Sequence, residues 1–60
     1  MTGEDFRAAL ETLSLTQGGA ARFLDVDERT VRRWVTDGPP RSVELLLRLI
    51  QRHELNPADL

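Results

Sequence analysis

The chain has 60 residues, 8 of them basic and 10 acidic, for a formal net charge of −2, and it contains no cysteine. A chain this short is one small domain whose apolar residues are mostly committed to a single core, with little room for a catalytic cavity. Without cysteine there is no disulfide framework and no thiolate zinc site, the lone His53 cannot hold a metal alone, and no apolar run approaches bilayer length.

A soluble, cytoplasmic protein is expected, since the start MTGEDFR is acidic rather than a basic leader followed by an apolar stretch. The negative net charge argues against a protein that coats nucleic acid regardless of sequence, because that affinity comes from basic groups neutralising phosphates. All the basic residues are arginine. A GC-rich genome explains that bias as well as a need for planar, forked donors does.

The periodicity predicts an all-α chain with helices over 2–13, 16–24, 27–36 and 40–53 and a short turn over 56–60. In helix 1, Thr2 is the cap, Glu4 and Asp5 suit the positive helix end, and Phe6, Ala9, Leu10 and Leu13 form the apolar face. Ser14 and Leu15 make the connection, with Leu15 pinning helix 1 to helix 2. Thr16 caps helix 2 through the amide of Gly18 or Gly19, and Ala20, Ala21 and Leu24 face inward. Gly18 and Gly19 read either as neutral residues of a surface turn or as room for close approach of a DNA phosphate.

Asp25-Val26-Asp27 is the turn before helix 3. Asp25 occupies a position that often needs positive φ, Val26 points inward, and Asp27 caps helix 3 through the amide of Arg29 or Thr30. Val31, Trp34 and Val35 mark the buried stripe of helix 3 and leave Arg29, Arg32 and Arg33 pointing outward. An ordinary solvated face, with Glu28 paired to Arg32, is the plainer reading of those charges. Gly38-Pro39-Pro40 stops helix 3. Helix 4 then carries Val43, Leu46, Leu47 and Ile50 as its core stripe, with Leu45 and Leu49 left over for a dimer or partner contact, or for cover by the N-terminal arm or the tail. Asn56 and Pro57 open a last turn that folds Leu55 and Leu60 back onto helix 4, and His53 suits the negative end of that helix.

Leu13, Leu15, Thr16 and Gln17 leading into helix 2, Ala21 at its close contact, Val26 in the turn, Val31 and Trp34 in helix 3 and Gly38 after it form a set. On these positions the chain resembles the phage-repressor and Cro-like helix-turn-helix family, also called XRE-like or lambda-repressor-like, over residues 4 to 55. The resemblance implies a compact domain of four or five helices that binds double-stranded DNA, usually as a two-fold dimer, with helix 3 in the major groove. It assigns Asp27, Glu28, Arg29, Thr30, Arg32 and Arg33 to base edges, and Thr16, Gln17, Gly18, Arg22 and Arg41 to phosphates. The chemistry agrees in type: an arginine fork fits guanine O6 and N7, and a glutamate accepts from the cytosine amino group. This sequence departs from the family in carrying Asp25 where a turn glycine is usual, and Asp25, Asp27 and Glu28 offset much of the arginine charge.

The expected function is sequence-specific binding of double-stranded DNA as a repressor-like transcriptional regulator, with a homodimer through Leu45 and Leu49. No enzyme activity, cofactor, metal or membrane partner is expected. Two other readings stand beside it: an accessory domain of a recombinase or transposase, and a protein-interaction module that kept the fold without DNA, using Leu45, Leu49 and Phe23.

Overall fold

The computed structural model describes all 60 residues as four α-helices and one short 3-10 turn, without strands: α1 Gly3–Thr12, α2 Gln17–Leu24, α3 Glu28–Asp37, α4 Arg41–Arg52 and the turn Pro57–Asp59. The all-α expectation holds. No helix is long and apolar enough to cross a membrane.

Three helices begin where a short polar side chain satisfies the first free amides. The Thr2 hydroxyl accepts from the Asp5 amide while the Asp5 carboxylate accepts from the Thr2 amide, a reciprocal box. Thr16 accepts from the Gly19 amide at 2.9 Å, and Asp27 from the Arg29 amide at 3.0 Å. The fourth, α4, follows Pro40 and has no side-chain cap.

Three helices also end alike. Ser14, Asp25 and Glu54 take φ values of 58°, 56° and 53°. The next residue then donates its amide to a carbonyl five positions back: Leu15 to Leu10, Val26 to Ala21, and Leu55 to Ile50. This closure satisfies a terminal carbonyl, and at Leu15 and Val26 it turns a half-buried apolar side chain back against the core. Positive φ was expected at Asp25. It was not expected at Ser14 or Glu54, since neither is a residue type that favours it.

The core is Phe6, Ala9 and Leu10 of α1, Ala20 and Ala21 of α2, Val31 of α3, and Leu47 and Ile50 of α4. Burying each of the larger side chains contributes roughly 1.5–3 kcal/mol relative to leaving it exposed. The two alanines present little bulk at the α2 contact. α3 packs principally on α2 and α1. Gly3 lies so close to the end of α3 that a methyl group on it would overlap the Val35 carbonyl, and Gly38, at φ 96°, turns the chain there beside the Met1 carbonyl.

Two expectations need correction. Leu46 is 38% exposed, and Glu44 is buried at 5% in its place. α4 is rolled so that Val43, Leu47 and Ile50 face inward with Glu44 beside them, which lifts Leu46 toward solvent. A charge is tolerated there because it is paired, as a buried charge must be. The Met1 ammonium lies 2.6 Å from Glu44 Oε1, and Arg41 and Arg48 lie 2.5 and 3.2 Å from Oε2. The hydrogen bond from that ammonium holds the Glu44 carboxyl below its ordinary range against the opposing effect of burial, with Arg48 and Arg41 adding to it. The second correction is at the end of the chain: the last turn buries Pro57, whereas Leu55 and Leu60 stay exposed instead of folding back.

Candidate nucleic-acid interface

The inner stripe of α3 determines what its outer face presents. Val31 is fully buried, Trp34 and Val35 are half-buried against the core, and the Trp34 ring meets Phe6 edge to face at 5.9 Å between centroids. With those positions held, Arg29, Arg32, Arg33 and Thr36 fall on the solvent side of α3, and all four are exposed. Arg29 and Arg33 stand one turn apart on one ridge, as helical spacing requires.

The charges sort into used and unused. Arg7 pairs with Glu11, and Arg41 and Arg48 pair with Glu44. Arg22, Arg29, Arg32, Arg33 and Arg52 make no ion pair. The expected pairing of Glu28 with Arg32 is absent, so the plainer reading of α3 as a face of internally matched charges loses its one specific contact. The Asp27 carboxylate is engaged by the Arg29 amide. The Glu28 carboxylate is turned instead toward the start of α2, where a methyl on Gly18 would meet its Oε1 at 3.7 Å.

The start of α2 lies beside this face. Thr16 is exposed, and Gln17 and Gly18 are half-buried. The amides of Gly19 and Ala20 are bonded to Thr16, whereas those of Gln17 and Gly18 have no partner. Two free donors at a positive helix end suit an anionic oxygen. Thr30 is half-buried and Asp25 exposed.

The chain matches no known protein family, curated protein or solved structure.

Of the expected site residues, Arg29, Arg32 and Arg33 share the outer face of α3, and Glu28 extends from it to Gly18 of α2. Arg22 is exposed and unpaired on α2, at the rim of an open groove of about 420 Å³ lined by Leu13, Leu15, Phe23 and Pro57. Phe23 is thus half-buried in a groove rather than core or fully exposed. Arg41, expected at a phosphate, is tied to Glu44 instead. Leu45 and Leu49 are 49% and 50% exposed on the outer face of α4, beside Arg48 and Arg52. Glu44 and Gly3 are the residues that sequence reasoning missed. An acid flanked by Arg41 and Arg48, at three and four positions along the same helix, was the available signal for the first.

Proposed function

We propose that the protein binds double-stranded DNA sequence-specifically through α3, as a repressor-like transcriptional regulator in the cytoplasm, with α2 and α3 working as a helix-turn-helix of the lambda-repressor-like kind. One observation carries this reading: three unpaired arginines lie on the outer face of a helix whose inner face is braced by Val31, Trp34 and Phe6, beside a helix start with two free amides. Unpaired guanidinium forks on a braced helix suit guanine edges in the major groove, and each good bidentate pair is worth about 1–3 kcal/mol of base discrimination. Asp27, the N-cap of α3, and Arg29 and Thr30 in its first turn lie at the part of a recognition helix that contacts base edges, with Arg32 and Arg33 following. Thr16, Gln17 and Gly18 serve as a phosphate seat at the start of α2, and Arg22 supplies a further backbone contact that positions without reading sequence. Arg41 joins them only by leaving Glu44.

The acids Asp25, Asp27 and Glu28 lie near this face, so random-sequence affinity is weak and binding depends on a matched site. The exposed leucines of α4, Leu45 and Leu49, supply a homodimer contact, which pairs two reading helices on the two halves of a symmetric site. The same leucines, with the Phe23 groove, are the specific observation behind a second reading, an interaction module that carries the fold without DNA.

Selection from a random double-stranded library, followed by sequencing of the retained duplexes, separates the two. The DNA-binding reading predicts enrichment of an inverted repeat with half-sites about one helical turn apart. No enrichment at low salt, where phosphate attraction is least screened, supports the interaction module instead.

A further inference from the structure

We propose that the groove between the end of α1, α2 and the last turn is a binding site for a small amphiphilic carboxylate, with the apolar body of the ligand against Phe23 and its carboxylate on Arg22. The groove is open and measures about 420 Å³, a size that small-molecule sites share. Leu13, Leu15, Phe23 and Pro57 supply its apolar surface, and Arg22 is its one charged residue. The chain has 10 acidic residues, and none of them lines this groove.

The walls are set before any ligand arrives. Leu13 and Leu15 rest on the core, and the Leu15 amide is held by the Leu10 carbonyl at 2.9 Å. In the last turn, Pro57 is buried and the Asn56 side chain accepts from the Ala58 amide at 3.0 Å. A site formed in advance loses little freedom on binding. Phe23 differs from the two leucines, being half-buried without packing on the core cluster. An aromatic ring left at a groove gains by further burial. Arg22 is exposed and makes no ion pair, so its guanidinium fork is free to donate to both oxygens of a carboxylate.

Charge and size define the occupant. An apolar groove with one cation and no anion favours an apolar body bearing one negative group, whereas a neutral or cationic amphiphile gains burial alone. The residues lining it are too few for a partner protein, whose interface takes about 20–30 residues a side. Glu54 lines the neighbouring depression, which shares Leu13 and Pro57 but not Arg22, so a reversed ligand meets a like charge. The site does not depend on α3 binding DNA. On the DNA-binding reading a bound carboxylate takes Arg22 from the DNA backbone, and binding measured without DNA is independent of that reading.

Octanoate, octanol and octylammonium, three probes of one chain length and different charge, test the site when each is titrated into the isotope-labelled protein and the amide resonances are followed. Octanoate should bind with a Kd on the order of 1 mM and about 3- to 10-fold more tightly than octanol. It should shift the amides of Gly19, Phe23 and Ala58, and its margin over octanol should narrow as salt rises. Arg22→Gln should bring octanoate down to the octanol value and leave octanol unchanged, while Arg22→Lys keeps most of the margin. Ala58→Trp, which crowds the groove without touching the charge, should weaken both. Arg22 and Ala58 are exposed, so these variants fold, which circular dichroism checks. Equal binding of octanoate and octanol, a margin that survives Arg22→Gln, or shifts confined to Leu45 and Leu49 of α4 would each overturn the proposal.

Discussion

Phe6 of α1 and Trp34 of α3 meet edge to face, with ring centroids 5.9 Å apart and planes at 86°. Such pairs add about 0.5–1.5 kcal/mol beyond the area they bury. The contact also determines which way α3 faces, because a helix held at Trp34 and Val31 has its arginines directed to solvent. Trp34→Ala should cost about 3 kcal/mol, a large part of what so small a domain commands. Urea titration followed by circular dichroism should register a largely unfolded population. A variant as stable as the parent would mean that Phe6 and Trp34 do not brace α3.

Asp25 closes α2 at φ 56° and ψ 48°, a conformation that L side chains enter at a cost and glycine enters freely. Asp25→Gly should raise stability by about 1 kcal/mol, and by removing an exposed acid near α3 it should also tighten binding to random-sequence DNA. Thermal melts and a low-salt duplex titration test the two effects separately. A lower melting temperature would mean that the Asp25 side chain supports the turn.

Stability should fall with acid through two identified carboxylates. The Glu44 carboxyl is held below its ordinary value of 4.5 chiefly by the hydrogen bond from the Met1 ammonium. The Asp5 carboxyl is held below 3.8, first by the hydrogen bond from the Thr2 backbone amide and then by the Thr2 hydroxyl. A carboxylate depressed on folding contributes its full stability above its unfolded value and loses it as pH drops through the folded one. The contribution is therefore full at neutral pH and declines as pH falls below about 4.5 for Glu44 and below about 3.8 for Asp5. Glu44→Gln and Asp5→Asn should each lower stability at neutral pH and flatten its acid dependence, with the mutant and wild-type curves converging at low pH. Parallel curves across that range would remove the Glu44 ion pairs and the Asp5 cap hydrogen bond as pH-dependent contributors.

Leu45 and Leu49 stand half-exposed on α4, and the patch is small against the roughly 800 Å² per partner of a standard interface. The dimer should therefore be weak and concentration-dependent in solution. Leu49→Arg should remain folded, sediment as a monomer at every concentration, and bind a single half-site as well as the wild type while losing cooperativity on the inverted repeat. Unchanged cooperativity would place the dimer contact elsewhere.

The helices and their caps were legible because the signals are local: Thr2, Thr16, Asp27 and Asn56 each act on an amide two or three residues away. The stripes of α1 and α3 were legible by periodicity. Glu44 was not, since α4 carries leucines on nearly every side and the roll that buries an acid in place of Leu46 depends on Met1, 43 residues away. Gly3 hid for the same reason, its cause being the Val35 carbonyl of another helix. At the candidate interface the residue types and the outward arginines could be read in advance. The orientation of Glu28 could not, because helical spacing offers Arg32 as its partner and only the packing of α2 on α3 brings Gly18 near.

The claim that the outer face of α3 binds duplex DNA is tested most directly by the double variant Arg29→Ala/Arg33→Ala on the duplex selected by the wild type. Both side chains are exposed and make no ion pair, so unfolding should be unchanged. Loss of at least tenfold in affinity should accompany it, and a salt slope shallower by up to about 1.8 if both arginines release counterions. Retention of full affinity with an unchanged slope would contradict the account and move the function to another surface of the molecule.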